Sequence, residues 1–133
     1  RELRGKTLGV IGLGKIGMTV AEAARGFEMD IIGHDPFVTE EAAGRRGIRL
    51  ASVADLLRTA DAITVHVPLT AKTRGLIGAA ELLTMKKDAF LINVARGGVT
   101  DEAALAEALA AGTIAGAAVD VEIVDDDWWK ELT

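Results

Sequence analysis

The chain has 133 residues, half of them hydrophobic, with a net charge of −5, two prolines and no cysteine. That length suits one domain with a continuous core. Lack of cysteine excludes disulfides and thiolate chemistry, and scattered basic residues under a negative net charge argue against a nucleic-acid backbone as partner. No apolar run approaches the ~20 residues of a membrane span, and the polar opening Arg1-Glu2-Leu3-Arg4 leads into no signal-type apolar region. A cytoplasmic protein with no membrane partner is expected.

After a polar lead-in to Lys6, Leu8 to Ile11 is apolar on both faces, as a central parallel strand must be. From Lys15 the period changes: Ile16, Val20, Ala23, Ala24 and Phe27 recur at helical spacing and predict an inward face, with Gly26 loosening the helix end. Met29 to Gly33 predicts a second strand, closed by Asp35-Pro36. Thr39-Glu40-Glu41 opens a short helix with a capping residue and an acidic first turn. A third strand follows at Gly47 to Leu50. Ser52-Val53-Ala54-Asp55 reads as a capping box. Asp61 to His66 predicts strand four, a loop runs from Leu69 to Gly78, and a helix covers Ala79 to Met85. Ala89 to Val94 predicts strand five, Asp101 to Ala111 a helix with Leu105, Ala108 and Leu109 inward and Gly112 as its stop, and Ile114 to Val121 strand six. This alternation predicts an α/β fold: a doubly wound, Rossmann-type parallel sheet in a single domain, with strand order 3-2-1-4-5-6.

The chemistry sits at the strand ends. Gly12-x-Gly14-x-x-Gly17 falls between a strand and a helix, where the first glycine permits a tight turn, the second a close backbone approach to pyrophosphate and the third close helix packing. The N–H groups around Lys15 and Ile16 would face the phosphates; the alternative is a purely structural turn. Asp35, eighteen residues past Gly17, ends strand two where a carboxylate accepts ribose hydroxyls and repels a 2′-phosphate, favouring NAD over NADP. The plainer alternative is a surface Asp in an Asp-Pro turn. Arg45 and Arg46 could attract a phosphate, but their place in the following helix suits solvated side chains. Arg96, between strand five and the Gly97-Gly98 pair, suits an anionic substrate through its two-pronged guanidinium; an exposed turn arginine is the alternative.

Taken together, Gly5-Lys6 with Thr7 to Gly17, His66-Val67-Pro68-Leu69-Thr70, Met85-Lys86, Asn93 to Gly98 with Asp101-Glu102, and Ala115 to Val121 resemble the NAD-binding domain of the D-isomer-specific 2-hydroxyacid dehydrogenases, in register over about residues 3 to 121. His34-Asp35-Pro36-Phe37 and the loops most resemble the D-3-phosphoglycerate dehydrogenases. The resemblance implies NAD as cofactor, Lys15 and Ile16 on the pyrophosphate, Asp35 on the ribose, and Val67, Pro68, Thr73, Val94 and Ala95 along the cofactor groove. It implies Arg96 as the catalytic arginine for the substrate's carboxylate and carbonyl, and Asp120 beside the nicotinamide carboxamide. His66 by the same resemblance belongs to the groove and not to the proton-transfer step.

Departures from the family pattern are equally definite. The family's proton exchange uses a histidine held by a glutamate; Asp125 occupies the glutamate's expected position, one methylene short, and the later Pro-His segment is not in this sequence. The substrate domain is likewise expected to be absent, so cofactor binding without turnover is the expectation for this chain. Residues 1 to 121 read as the dinucleotide-binding domain and 122 to 133 as an atypical acidic tail carrying the chain's only tryptophans, Trp128 and Trp129. Such a pair invites either folding back onto apolar surface or homo-oligomer formation. A non-catalytic interaction module using that tail, or a methyltransferase with a similar glycine turn, are the competing functions. No metal site is expected.

Overall fold

The computed structural model describes residues 3–93 and 98–119. In chain order these form β1 (Thr7–Ile11), α1 (Lys15–Gly26), β2 (Asp30–His34), α2 (Glu40–Arg45), β3 (Ile48–Leu50), α3 (Val53–Thr59), β4 (Ala62–Val65), α4 (Ala79–Thr84), β5 (Phe90–Asn93), α5 (Glu102–Ala111) and β6 (Gly116–Val119). All five strand pairings are parallel, in the order β3-β2-β1-β4-β5-β6. That is the expected doubly wound topology. Where both ends are described, strand limits differ from the sequence reading by at most a residue or two; the expected ends at Val94 and Val121 lie outside the described residues. β6 begins two residues later than expected because Ile114 is buried in the preceding turn and the ladder opens only where Gly116 pairs with Phe90.

Alternation along the central strands divides the core between two faces. Leu8 and Val10 of β1 and Ile31 of β2 pack with Ala21 and Ala24 of α1 and Ala43 of α2. Ile11, Ile32, Ile63, Val65 and Leu91 pack instead with Leu56, Leu57, Leu82, Leu105 and Ala108 of α3, α4 and α5. A strand buried on both sides must be apolar at every position, which is why β1 reads as a continuous hydrophobic run. β5 departs from this: Leu91 and Asn93 are buried, while Phe90 and Ile92 remain 42% and 36% exposed.

The inward face of α1 agrees with the sequence expectation at Ala24 and, half-buried, at Val20, and differs from it elsewhere. Gly17, Ala21 and Ala24 are its buried residues, whereas Ile16 and Phe27 are 69% and 63% exposed and Ala23 is exposed too. Close approach of helix to sheet selects the smallest side chains, so the larger apolar ones lie at the margins. α5 buries Leu105 and Ala108 as expected, with Leu109 half-buried against the core, and adds Ala104 to that face.

Caps behave as their chemistry predicts, with one exception. Thr39 Oγ1 accepts the Ala42 N–H, Ser52 Oγ accepts the Asp55 N–H and Asp101 Oδ1 accepts the Ala104 N–H, each at 3.1 Å. Gly112 ends α5 in the left-handed conformation at φ 72°. The expected capping box at Ser52 is half-formed: the Asp55 carboxylate pairs with Arg58 one turn ahead. At the amino edge of the sheet, Asp61 accepts the Thr7 N–H (2.8 Å) and the Lys86 ammonium (3.1 Å). Partial burial opposes its charge, but these two donors, with Lys6 nearby, hold its carboxyl below the ordinary 3.8.

Candidate functional site

β1 lies between β2 and β4, so the chain leaves it in opposite directions, and the carboxyl ends of these three strands are the switch point where open α/β sheets hold ligands in a crevice. The three glycines between β1 and α1 each meet a different surrounding. At Gly12, φ is 96°, and a Cβ would stand 2.9 Å from both the His66 carbonyl carbon and Val67 Cγ1. At Gly17 a Cβ would stand 2.0 Å from the Gly12 carbonyl oxygen, so α1 rests directly on the turn. At Gly14 a Cβ would meet nothing within 4 Å. Gly14 is also the N-cap of α1, with no side-chain capping bond. The first-turn N–H groups at Lys15 and Ile16 thus lie at an uncapped positive helix end bordering open space, with both side chains exposed.

Asp35 follows the end of β2 and reaches back to the turn. Its Oδ2 accepts the Leu13 N–H and its Oδ1 the Phe37 N–H, each at 2.9 Å. Each carboxylate oxygen keeps further acceptor capacity. Leu13, between the first two glycines, is buried, and its Cδ1 would be 2.9 Å from a Cβ added at Gly33. The backbone adds a second tie, Gly12 N–H to the His34 carbonyl at 2.8 Å. Pro36 is exposed and Phe37 is 94% exposed. Of the two arginines near this edge, Arg46 pairs with Glu22 and Arg45 is solvent-facing on α2.

On the other side, His66 continues from β4, donating its backbone N–H to the Ile11 carbonyl at 2.8 Å. Its Nε2 lies 2.8 Å from Oγ1 of the buried Thr64. Burial pushes the imidazole below its ordinary 6.5, so it is neutral near pH 7 and fastened to a neighbour. Val67 packs on Gly12 and Pro68 is exposed. Thr73 is turned to the loop: its hydroxyl donates to the Pro68 carbonyl at 2.6 Å and accepts the Thr70 N–H at 2.7 Å. Its hydroxyl thereby holds Pro68 in place.

Val94, Ala95, Arg96, Asp120 and Asp125 lie outside the described residues, as do Trp128 and Trp129. The residues bracketing 94–97 are tied together. Asn93 Nδ2 donates to Thr100 Oγ1 at 2.9 Å, both residues being buried, and Gly98 N–H donates to Glu102 Oε1 at 3.2 Å. Gly75 N–H reaches the Gly98 carbonyl at 2.6 Å, joining the loop that carries Thr73 to this turn. Among the described residues, no group of three His, Asp or Glu is placed to hold a metal ion.

The structure therefore brings Gly12, Gly14, Lys15, Ile16, Gly17, Asp35 and Val67 together at the carboxyl ends of β1, β2 and β4, with Pro68 and Thr73 in the adjoining loop. Sequence reasoning missed Leu13, whose N–H is held by Asp35. A large apolar residue inside a glycine turn was the available signal, since such a side chain must anchor the turn in the core.

Comparison with known proteins accords with this geometry. A family model described as D-isomer specific 2-hydroxyacid dehydrogenase, NAD binding domain, matches residues 1–129. A D-3-phosphoglycerate dehydrogenase from Archaeoglobus fulgidus is 51% identical over 90% of this chain, and one from Methanocaldococcus jannaschii is 53% identical over 90%. The chain spans about a quarter of these relatives, 23% of each. The structure of D-lactate dehydrogenase with NAD+ from Lactobacillus jensenii matches with a TM-score of 0.88 at 34% identity, over 99% of this chain and 43% of that one.

Proposed function

This chain belongs to the D-isomer-specific 2-hydroxyacid dehydrogenase family through its NAD binding domain, and from that premise we propose that it holds NAD(H) across the crevice above β1. The observation that carries the reading is the open space at Gly14, where a Cβ would touch nothing although Gly12 and Gly17 on either side are tightly packed. A close-packed turn that leaves one uncapped helix end unobstructed fits a pyrophosphate.

NAD, when bound, supplies the hydride chemistry. The chain's own residues bind and orient. The N–H groups at Lys15 and Ile16 take the pyrophosphate, Asp35 accepts the adenosine ribose hydroxyls with its remaining lone pairs, and Val67 and Pro68 wall the groove. A carboxylate at that position disfavours a 2′-phosphate, so NAD is preferred over NADP. Val94 and Ala95 extend the groove, Asp120 receives the nicotinamide carboxamide, and Arg96 orients the carboxylate of a D-2-hydroxy acid two-pronged. In the whole protein, the substrate supported by the two relatives is D-3-phosphoglycerate. Asp125 takes the place of the family's glutamate in this proposal.

The chain by itself is proposed to bind cofactor without turnover. His34 and His66 are its two histidines. His34 Nδ1 lies 3.1 Å from the Ala51 carbonyl, and His66 Nε2 lies against Thr64. Neither carries the proton step in this account. Titration of NADH by fluorescence tests the binding: saturable binding that Asp35→Ala weakens supports it, and absence of binding at millimolar NADH refutes it. Sustained cofactor-dependent oxidation of a 2-hydroxy acid by the purified chain would refute the second part.

A further inference from the structure

We propose that Asp35 is a positioning residue for the glycine turn as well as a ribose ligand, setting the height of the α1 N-terminus before any dinucleotide arrives. The inference rests on the dinucleotide reading of this site and adds a role that ribose recognition does not require. Asp35 divides its two oxygens between backbone donors on separate segments, Leu13 in the turn and Phe37 in the β2–α2 connection. Leu13 is itself wedged into the core beneath the turn, in contact range of the Gly33 position. Its orientation fixes where Gly14 and the first helical N–H groups lie. A backbone N–H bound to a carboxylate is among the stronger hydrogen bonds, and its loss leaves that donor to be satisfied elsewhere. With the carboxylate gone, the turn keeps the Gly12 to His34 backbone bond and can pivot about it.

The sign of one effect separates the two roles. A dinucleotide whose adenosine ribose lacks the 2′ and 3′ hydroxyls has nothing for Asp35 to receive. If Asp35 acted only on the ribose, Asp35→Ala would leave the affinity for that analogue unchanged. Removal of a negative charge near an anionic ligand would even tighten it. A positioning role predicts the opposite, because the pyrophosphate cradle loosens for every dinucleotide.

The experiment measures affinities of the wild-type chain, Asp35→Ala and Asp35→Asn for NADH and for the dideoxy analogue, together with amide hydrogen exchange at Leu13 and Phe37 without ligand. The expected result is about a fivefold or greater loss of analogue affinity in Asp35→Ala, with exchange at Leu13 accelerated about tenfold. Asp35→Asn, which keeps one acceptor oxygen, is expected to restore protection at one of the two amides. Unchanged or tighter analogue binding with unchanged Leu13 exchange overturns the proposal. If the wild-type chain bound neither ligand, the dinucleotide reading would fail, while the exchange comparison would still decide whether Asp35 holds the turn.

Discussion

Replacing Gly17 by alanine adds one methyl group where the structure leaves no room. The new Cβ would lie 2.0 Å from the Gly12 carbonyl oxygen and 3.1 Å from its carbon. Carbon-to-oxygen contacts ordinarily begin near 3.3 Å, so α1 must lift by about an ångström. The obstacle is backbone, not a side chain that could swing away. Lifting the helix also loosens Ala21 and Ala24, which carry its buried face. Against this, alanine gains about 1 kcal/mol over glycine inside a helix. Overpacking costs roughly 1–3 kcal/mol, and a backbone clash of this size belongs at the upper end. The net expectation is a loss of about 2 kcal/mol, or a Tm lower by about 5–10 °C at this chain length.

Gly26, in the same helix, supplies the control. A Cβ there would meet nothing within 4 Å, so Gly26→Ala is expected to stabilise the chain by about 0.5–1 kcal/mol. Urea and thermal unfolding of the two variants against wild type make the comparison. NADH titration of Gly17→Ala should also show more than tenfold weaker binding, because the displaced helix carries the N–H groups proposed to face the pyrophosphate. If Gly17→Ala proved as stable as Gly26→Ala, the close contact that positions α1 would be wrong.

Four further outcomes follow from particular contacts. Gly14→Ala, at an N-cap where alanine is disfavoured, should cost no more than about 1 kcal/mol yet weaken NADH binding, and unchanged affinity would remove the pyrophosphate from that space. Asp61 has its carboxyl lowered in the folded chain, so its contribution is present above the ordinary 3.8 and disappears as pH falls below it. Asp61→Asn should cost about 1 kcal/mol at pH 7 and flatten the acid loss of stability followed by circular dichroism. His66 has its imidazole lowered by burial, so unfolded chains bind the extra proton and stability falls as pH drops below 6.5. His66→Gln should remove that slope in urea titrations between pH 7 and 5. Thr73→Val deletes the hydroxyl bonds to Pro68 and Thr70 and should speed amide exchange at Thr70 without lowering the global Tm appreciably.

The topology was legible because each central strand is a short apolar run bounded by a glycine turn, a proline or a cap, and because Gly12, Gly14 and Gly17 stand where strand gives way to helix. The place of Asp35 beside that turn was legible through its spacing from it along the chain. Periodicity misplaced the inward face of α1 because hydrophobicity ranks Ile16 and Phe27 above Gly17 and Ala21, whereas the sheet's approach to Gly17 admits only small residues. The bond from the Leu13 N–H to Asp35 was not legible, because it joins residues twenty-two apart and depends on how the turn after β1 meets the end of β2, whereas Phe37, Thr70 and Pro68 are partners within the local loops of Asp35 and Thr73. Ser52 shows a local limit: it caps the Asp55 N–H as expected, while the Asp55 carboxylate pairs with Arg58.

The central claim is that this crevice receives a dinucleotide along the turn from Gly12 to Gly17. Backbone amide shifts of the isotope-labelled chain during an NADH titration test it most directly. Saturable shifts centred on residues 12–17, with Asp35 and Val67 following and NADPH acting only at higher concentration, are the predicted result. Shifts centred elsewhere on the domain, or none at millimolar NADH, would contradict it.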